Sequence, residues 1–249
     1  MTELRTLPAG TAVEDCGYRP APVGLRANMI FSADGAAGFH GRAGPLSCPA
    51  DHQLLLALRA YADVVLVGAG TARTEHYGPV TLRGDHRAQR VELGMSPQPP
   101  PLAVVSQSGR LPDTMFGTST PPILVTSAQA ARSSAEKRCE VLISGDEAVD
   151  VAQAVAELRS RGMRRVLCEG GPTLLDELVV AGLVDELCVT LSPTLAGNQP
   201  LGRPSSTGLA APTGMTLAHV LVDAGGYVYL KYAQPGRVSP PIGASTSPL

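Results

Sequence analysis

The sequence predicts a single α/β domain built on a mixed, mostly parallel β-sheet flanked by helices. Two observations lead to this fold class: short β-branched runs alternate with amphipathic helical segments, and two strand-like runs joined by glycines stand near the C-terminus. The 249 residues are 44% hydrophobic, which is enough for the core of one domain. We expect this domain at residues 23–232, between a flexible N-terminal tail (1–22) and a disordered C-terminal tail (233–249).

Seven apolar runs have the length and composition of buried strands. They are Leu25–Phe31, Asp63–Val67, Leu102–Ser106, Ile123–Thr126, Glu140–Ser144, Arg165–Cys168 and Glu186–Leu191. Two further runs, Met215–Asp223 and Tyr227–Tyr232, flank Ala224-Gly225-Gly226, which predicts an antiparallel hairpin at one edge of the sheet.

Helical periodicity between the strands predicts helices over Ala50–Tyr61, Ala128–Arg138 and Val149–Arg161, and a fourth after Gly170-Gly171-Pro172. The stretch Arg83–Pro101 carries four prolines and little periodicity, so we predict a long loop there.

Charge and composition exclude several classes of protein. The net charge is −2, without a block of like charge, so nucleic acid is not an expected partner. The sequence also lacks a membrane-spanning apolar run and the features of a signal peptide, so we expect a cytoplasmic protein. The five histidines and five cysteines are scattered without the spacing of metal ligands, so we predict no metal site.

Two segments pass from a buried strand through glycines into a helix, an arrangement that directs backbone N–H groups and the positive helix end toward a phosphate. They are Val64–Arg73 and Arg165–Leu175. Each alone is equally well explained as ordinary turn chemistry. Arg73 could bind a 2′-phosphate, which favours NADPH over NADH as the cofactor. An arginine in a first helical turn is, however, more often simply solvated.

A third segment, Asn28–Gly35, is a buried strand that ends in polar and flexible residues. Ser32 and Asp34 could face a ligand there. The same residues are also a good β-turn sequence, and the local pattern alone favours the turn.

Taken together and in order, several motifs resemble the C-terminal reductase domain of the bifunctional deaminase/reductase of riboflavin biosynthesis. These motifs are Ser32–Gly35, Leu46–Asp51, Ala62–Arg73, Glu169–Leu175, Ala181–Leu187 and Leu191–Pro193. The resemblance implies a dihydrofolate-reductase-like fold, a homodimer, and NADPH lying across the carboxyl ends of the strands.

The resemblance also implies roles for individual residues. Those expected to hold the cofactor are Ile30, Gly68, Thr71, Glu75, Ser106, Gly170, Gly171, Pro172, Thr173, Leu174 and Leu175. Those expected to contact the substrate or its ribose phosphate are Arg59, Arg83 and Glu169, and those expected at the reacting centre are Asp34 and Glu169.

This chain departs from the family pattern at two positions, with Ala36 where lysine is frequent and Pro45 where tryptophan is frequent. It also lacks the H-x-E and P-C-x-x-C signature of a zinc deaminase. The leading hypothesis is hydride transfer from NADPH to a C=N carbon of a 5-amino-6-(5-phosphoribosylamino)uracil-like substrate. Two alternatives stay open: a dihydrofolate or pterin reductase, favoured by the missing lysine because a pterin carries no ribose phosphate, and a non-catalytic NADPH-binding sensor.

Overall fold

A computed structural model describes residues 5–6, 18, 23–116, 120–133, 138–197 and 208–236. The strands within these residues are β1 (Arg5–Thr6), β2 (Gly24–Ser32), β3 (Val64–Gly68), β4 (Leu102–Val105), β5 (Ile123–Thr126), β6 (Glu140–Ile143), β7 (Arg165–Cys168), β8 (Glu186–Ser192), β9 (Thr216–Val222) and β10 (Val228–Ala233). The helices are α1 (Pro49–Ala60), α2 (Ala69–Thr74), α3 (Gly84–Glu92), α4 (Ala128–Ser133), α5 (Val151–Ser160) and α6 (Pro172–Val180).

All of these strands form one sheet, in the order β1-β9-β10-β8-β2-β7-β3-β4-β5-β6. Strand β10 runs antiparallel to its neighbours β8 and β9, and the other pairs are parallel. The predicted mixed, mostly parallel sheet is therefore confirmed, as is the hairpin of β9 and β10. Within the hairpin it is the second strand that joins β8, so β9 lies farther toward the edge.

The seven predicted strands and four predicted helices are all present, with boundaries that differ by a few residues. The helix predicted from Ala128 ends at Ser133, and residues 134–137 lie outside the described part of the chain.

The prediction of a loop over Arg83–Pro101 is wrong for its first half, where the chain forms α3. Helix α3 lacks the apolar stripe by which an amphipathic helix is recognised in a sequence. It is held against the domain by a charged residue. The buried Arg90 donates from Nη1 to the carbonyls of Ala60 and Ala62 at 2.9 and 2.6 Å, and from Nε to the carbonyl of Ser96 at 2.7 Å. Arg90 thus holds α3 against the C-terminal end of α1.

Apolar side chains cover both faces of the sheet. On one face, residues of α5 and α6 such as Leu158 and Leu178 pack against β2, β3 and β7. On the other face, Leu54 and Leu58 of α1 pack against Val65 and its neighbours. Because the central strands are buried on both faces, their sequences are continuous apolar runs. The polar residues at their carboxyl ends are therefore easily recognised in the sequence.

The ends of the chain differ in part from the predicted tails. Arg5–Thr6 pair with β9 and Tyr18 is completely buried, so these residues belong to the domain. The rest of residues 1–22 and residues 237–249 lie outside the described part of the chain. Among the described helices, none has both the length and the apolar character needed to cross a bilayer.

Candidate active site

A cavity of about 920 Å³ opens at the carboxyl ends of the central strands. Ile30 near the end of β2, Gly68 at the end of β3, Val105 at the end of β4 and Glu169 directly after β7 all line it. This is the edge at which open α/β sheets bind their ligands, and the volume is that of a site for a cofactor and a small substrate.

Glu169 forms the most strongly bonded cluster in the cavity. Arg59, in the last turn of α1, donates from Nε to Oε1 at 2.6 Å and from Nη2 to Oε2 at 2.7 Å. The hydroxyl of Tyr77 donates to Oε2 at 2.6 Å. Only 2% of the Glu169 side chain is exposed, so this carboxylate depends on its three internal donors for solvation.

The environment keeps the two partners of Glu169 protonated. Burial lowers the pKa of Arg59, but attraction to the Glu169 carboxylate outweighs this and raises the pKa above its ordinary value. Burial and then the charge of Glu169 raise the pKa of Tyr77 well above its ordinary value. Both side chains therefore act as fixed donors, and Glu169 is an acceptor whose charge is balanced.

Tyr77 is a site residue that sequence reasoning missed. It follows α2 in a short irregular segment, and its backbone N–H donates to the carbonyl of Ala72 at 2.8 Å. Its ring lies 5.5 Å from Cζ of Arg59, close enough for a cation–π contact. No local motif marks this tyrosine, and only the folded chain brings it to Glu169.

The two glycine-containing turns of the predicted phosphate sites meet each other. The N–H of Gly68 donates to the carbonyl of Gly170 at 2.8 Å, and the Gly170–Gly171 peptide is cis. A Cβ on Gly170, whose φ is +80°, would lie 2.8 Å from Sδ of Met29, and a Cβ on Gly171 would collide with Oγ1 of Thr71. The backbone conformation of Gly170 therefore favours glycine, and a side chain at Gly171 would require Thr71 or the turn to shift.

Helix α6 begins at this turn without a side-chain cap, and its first residues line the cavity. The N-terminus of a helix carries partial positive charge, so this end of the cavity favours an anionic group such as a phosphate.

Glu75 and Ser106 also line the cavity, and both side chains are engaged by the protein itself. Oε1 of Glu75 accepts from the N–H of Ala43 at 2.5 Å, which holds the loop between β2 and α1 against α2. Oγ of Ser106 donates to the carbonyl of Arg110 at 2.9 Å. Both residues shape the cavity walls through these contacts.

Eleven of the residues predicted from the resemblance line this one cavity. They are Ile30, Arg59, Gly68, Thr71, Glu75, Ser106, Glu169, Gly171, Pro172, Thr173 and Leu174. Gly170 and Leu175 are not part of the lining. The carbonyl of Gly170 accepts a hydrogen bond from the N–H of Gly68, and Leu175 packs on the apolar core.

Asp34 and Arg83 do not line the cavity. Asp34 is exposed and accepts hydrogen bonds from the hydroxyl of Ser32 at 2.5 Å and from the N–H groups of Ala196 and Gly197 at 3.0 and 2.8 Å. The Ser32 hydroxyl, followed by the Ala196 N–H, lowers the pKa of Asp34 to about 2. Asp34 therefore connects the turn after β2 to the loop after β8.

The guanidinium of Arg83 faces the surface beside α3. It donates to Oδ2 of Asp85 at 2.7 Å and to Oε1 of Gln53 at 2.5 Å. The structure thus does not bring this predicted substrate contact together with Glu169.

Asn28 also lines the cavity, and the sequence predicted no role for it. Its Oδ1 is buried and has no hydrogen-bond partner among the described residues. A signal existed, because an asparagine inside an otherwise apolar buried strand is unusual.

Across the described ranges, no cluster of three or more His, Cys, Asp or Glu side chains could hold a metal ion.

Comparison with known proteins identifies the family of the chain. Residues 24–229 match the family model described as RibD C-terminal domain. The chain belongs to this family. The family predicted from the sequence motifs is thereby confirmed.

Similar members of known name are reductases. The chain is 29% identical over 186 residues to the 2,5-diamino-6-ribosylamino-4(3H)-pyrimidinone 5′-phosphate reductase of Archaeoglobus fulgidus, covering 72% of this chain and 83% of the relative. The enzyme of the same name from Methanothermobacter thermautotrophicus is 27% identical, covering 69% of this chain and 78% of the relative. A pyrimidine reductase-like protein from Corynebacterium diphtheriae superposes with a TM-score of 0.73 at 27% identity, covering 85% of this chain and 91% of that one.

Proposed function

We propose that this member of the RibD C-terminal domain family is an NADPH-dependent reductase of a ribosylaminopyrimidine 5′-phosphate. The hydride goes to the C=N carbon of the open Schiff-base form, the nitrogen takes a proton from solvent, and the product carries a ribityl chain. One observation carries the proposal: a buried carboxylate, Glu169, is held as a fixed acceptor beside a glycine turn and an uncapped helix N-terminus. A substrate ring with N–H donors fits the Glu169 carboxylate. The pyrophosphate of a dinucleotide fits the glycine turn and the N-terminus of α6.

Glu169 binds the substrate ring in this account. A carboxylate offers roughly four acceptor positions, of which Arg59 and Tyr77 occupy three. The position left on Oε1 accepts a ring N–H. Because Arg59 and Tyr77 hold the carboxylate in place, Glu169 orients the ring.

The residues at the glycine turn fit the cofactor. Gly68 and Gly171 both line the cavity, and the N-terminal end of α6 favours the pyrophosphate. Arg73, an exposed residue of the cavity lining, would bind the 2′-phosphate that distinguishes NADPH from NADH. When bound, NADPH supplies the hydride, while the protein aligns the two rings and excludes water.

Both carboxylate oxygens of Asp34 accept hydrogen bonds from the protein itself. Its three hydrogen bonds hold the turn after β2 and the loop after β8, and it lies outside the cavity lining. We therefore propose that Asp34 positions the cavity wall and takes no part in proton transfer.

A dihydrofolate-type reductase is the second candidate. Arg83, a predicted contact of the ribose phosphate, lies outside the cavity lining, and a pterin has no ribose phosphate to bind. The pterin ring also carries an N–H and an amino group that would suit the Glu169 acceptor.

The experiment is NADPH oxidation by the purified protein with three substrates: the 2,5-diamino-pyrimidinone phosphate, its deaminated uracil counterpart and dihydrofolate. We expect faster turnover of a ribosylaminopyrimidine than of dihydrofolate. Preference for dihydrofolate would establish the second candidate, and NADPH binding without turnover of any substrate would support a sensor. The predicted homodimer is tested on the same preparation by sedimentation equilibrium.

A further inference from the structure

One face of the antiparallel part of the sheet is apolar and lacks a covering layer among the described residues. Residues of β8 alternate between the two faces: Cys188 and Thr190 are buried on the α1 side, whereas Val189 and Leu191 are half-buried on the other side. The sheet register continues this second face across β2, β9 and β10. We call it the hairpin face, and it consists of Phe31, Val189, Leu191, Val220, Val222, Val228, Leu230 and Tyr232.

The helices on this side of the sheet do not reach the hairpin face. Helices α5 and α6 pack on β2, β3 and β7, and the apolar cluster beneath them extends only to Leu187, near the start of β8. Within the described ranges, none of the eight residues of the hairpin face belongs to an apolar cluster of the domain. Their side chains therefore touch their neighbours within the sheet and have no apolar layer above them.

The hairpin face has the size of the centre of a protein–protein interface. It spans four strands and measures about 19 Å across them and about 15 Å along them, or roughly 300 Å². A contiguous apolar patch of this size on a folded protein is often an interaction site. A specific interface buries about 800 Å² on each partner, with an apolar core inside a polar rim, so the hairpin face is large enough to form that core.

The chemistry of the hairpin face favours a second copy of the same chain. The face contains no Asp, Glu, Lys, Arg or His, so it offers no charge pattern that would select a nucleic acid or an oppositely charged protein. A flat apolar face matches its own copy about a two-fold axis, and two sheets pack face to face about 10 Å apart. We infer that two copies of this chain pack through their hairpin faces, with β8 and β10 of each protomer at the centre.

An interface at the hairpin face lies away from the cavity. Phe31 of the hairpin face follows Ile30, which lines the cavity, and successive residues of a strand point to opposite sides of the sheet. The partner therefore packs on the opposite side of β2 from the cavity. The inference goes beyond the proposed function and does not depend on which substrate is reduced. To the predicted homodimer it adds the surface that joins the two chains.

The test is sedimentation equilibrium of the wild type and of Leu230→Lys at several protein concentrations. Leu230 lies between Val189 and Val220 in the middle of the hairpin face, so a lysine there puts two like charges into the interface. Ile143→Lys is the matched control, because Ile143 is an apolar strand residue that is 53% exposed at the opposite edge of the sheet. Leu230→Ala adds no charge and decides the question if Leu230→Lys does not fold.

We expect the wild type and Ile143→Lys to sediment at twice the chain mass of 25.7 kDa, and Leu230→Lys at the mass of one chain. Leu230→Ala should raise the dissociation constant of the dimer by about 10-fold or more, with an unchanged far-UV circular dichroism spectrum. A monomeric wild type would overturn the inference, and the hairpin face would then have another occupant. Unweakened dimers of both Leu230 variants would also overturn it, and loss of the dimer in Ile143→Lys alone would place the interface at the β6 edge.

Discussion

Arg59 and Glu169 are joined by two parallel hydrogen bonds of 2.6 and 2.7 Å, although 110 positions separate them in the chain. The pair connects the last turn of α1 to the carboxyl end of β7, and 17% of the arginine side chain and 2% of the glutamate side chain are exposed. A bidentate contact fixes both the position and the plane of the carboxylate. The pair therefore fixes the orientation of the Glu169 carboxylate in the cavity.

Removing Arg59 should cost both stability and activity. Arg59→Ala leaves the Glu169 charge buried without its partner, so we expect the free energy of unfolding to fall by roughly 3–5 kcal/mol. Urea denaturation measures this loss. The double variant Arg59→Met, Glu169→Met removes both charges and should regain much of the stability while staying inactive. Equal stability of the single and double variants would contradict a buried pair.

Tyr77→Phe should weaken the site without disturbing the fold. It removes one donor to Oε2 of Glu169 and leaves both bonds of Arg59 in place. We expect a loss of about 1 kcal/mol in stability and an increase of several-fold in KM for the pyrimidine. Tyr227→Phe, outside the cavity lining, is the control. Identical kinetics for the two variants would exclude Tyr77 from the site.

Gly171→Ala should impair cofactor binding. The new Cβ would collide with Oγ1 of Thr71, so either the Thr71 side chain or the turn after β7 must shift. We expect the dissociation constant of NADPH, measured by fluorescence titration, to rise by about 10-fold or more. Gly84→Ala is the control, since a Cβ there meets nothing within 4 Å and the residue is remote from the lining. An unchanged NADPH affinity in Gly171→Ala would remove the turn from the cofactor site.

Asp34 should make stability depend on pH in the acid range. Its pKa is lowered from 3.8 to about 2 in the folded state, so its contribution is present above the unfolded pKa and is lost as the pH falls toward 2. We expect Asp34→Asn to lower the melting temperature at pH 7 and to flatten its dependence on pH between about 4 and 2. Turnover should fall less than about tenfold. A far larger fall in kcat, with substrate and NADPH affinities intact, would restore the catalytic role that the resemblance implies.

The sequence predicted the strands and most of the helices because these follow from local patterns, whereas the eleven predicted residues of the cavity lining were implied by the family resemblance. A strand followed by glycines and a helix can be recognised from the local sequence alone. Glu169 can be recognised in the same way, because it is a charged residue at the end of an apolar run. Helix α3 was not predictable in this way, because the tertiary contacts of Arg90 replace an apolar face.

Contacts between distant segments account for the remaining differences. The partnership of Asp34 with Ala196 and Gly197 spans more than 160 positions, and nothing near Asp34 distinguishes a loop anchor from a ligand contact. Tyr77 likewise becomes part of the site only when Arg59 and Glu169 meet it. Asn28, by contrast, was detectable as a polar residue within a buried strand.

The most direct test of the account is the effect of Glu169→Gln on NADPH-dependent reduction of the ribosylaminopyrimidine phosphate. The substitution keeps the shape of the side chain, but it puts an amide N–H donor where the carboxylate accepts bonds from Arg59, Tyr77 and the ring. We predict a fall in kcat/KM of about 100-fold or more with the dissociation constant of NADPH unchanged within about twofold. An unchanged kcat/KM would contradict the role of Glu169 and the proposed site with it.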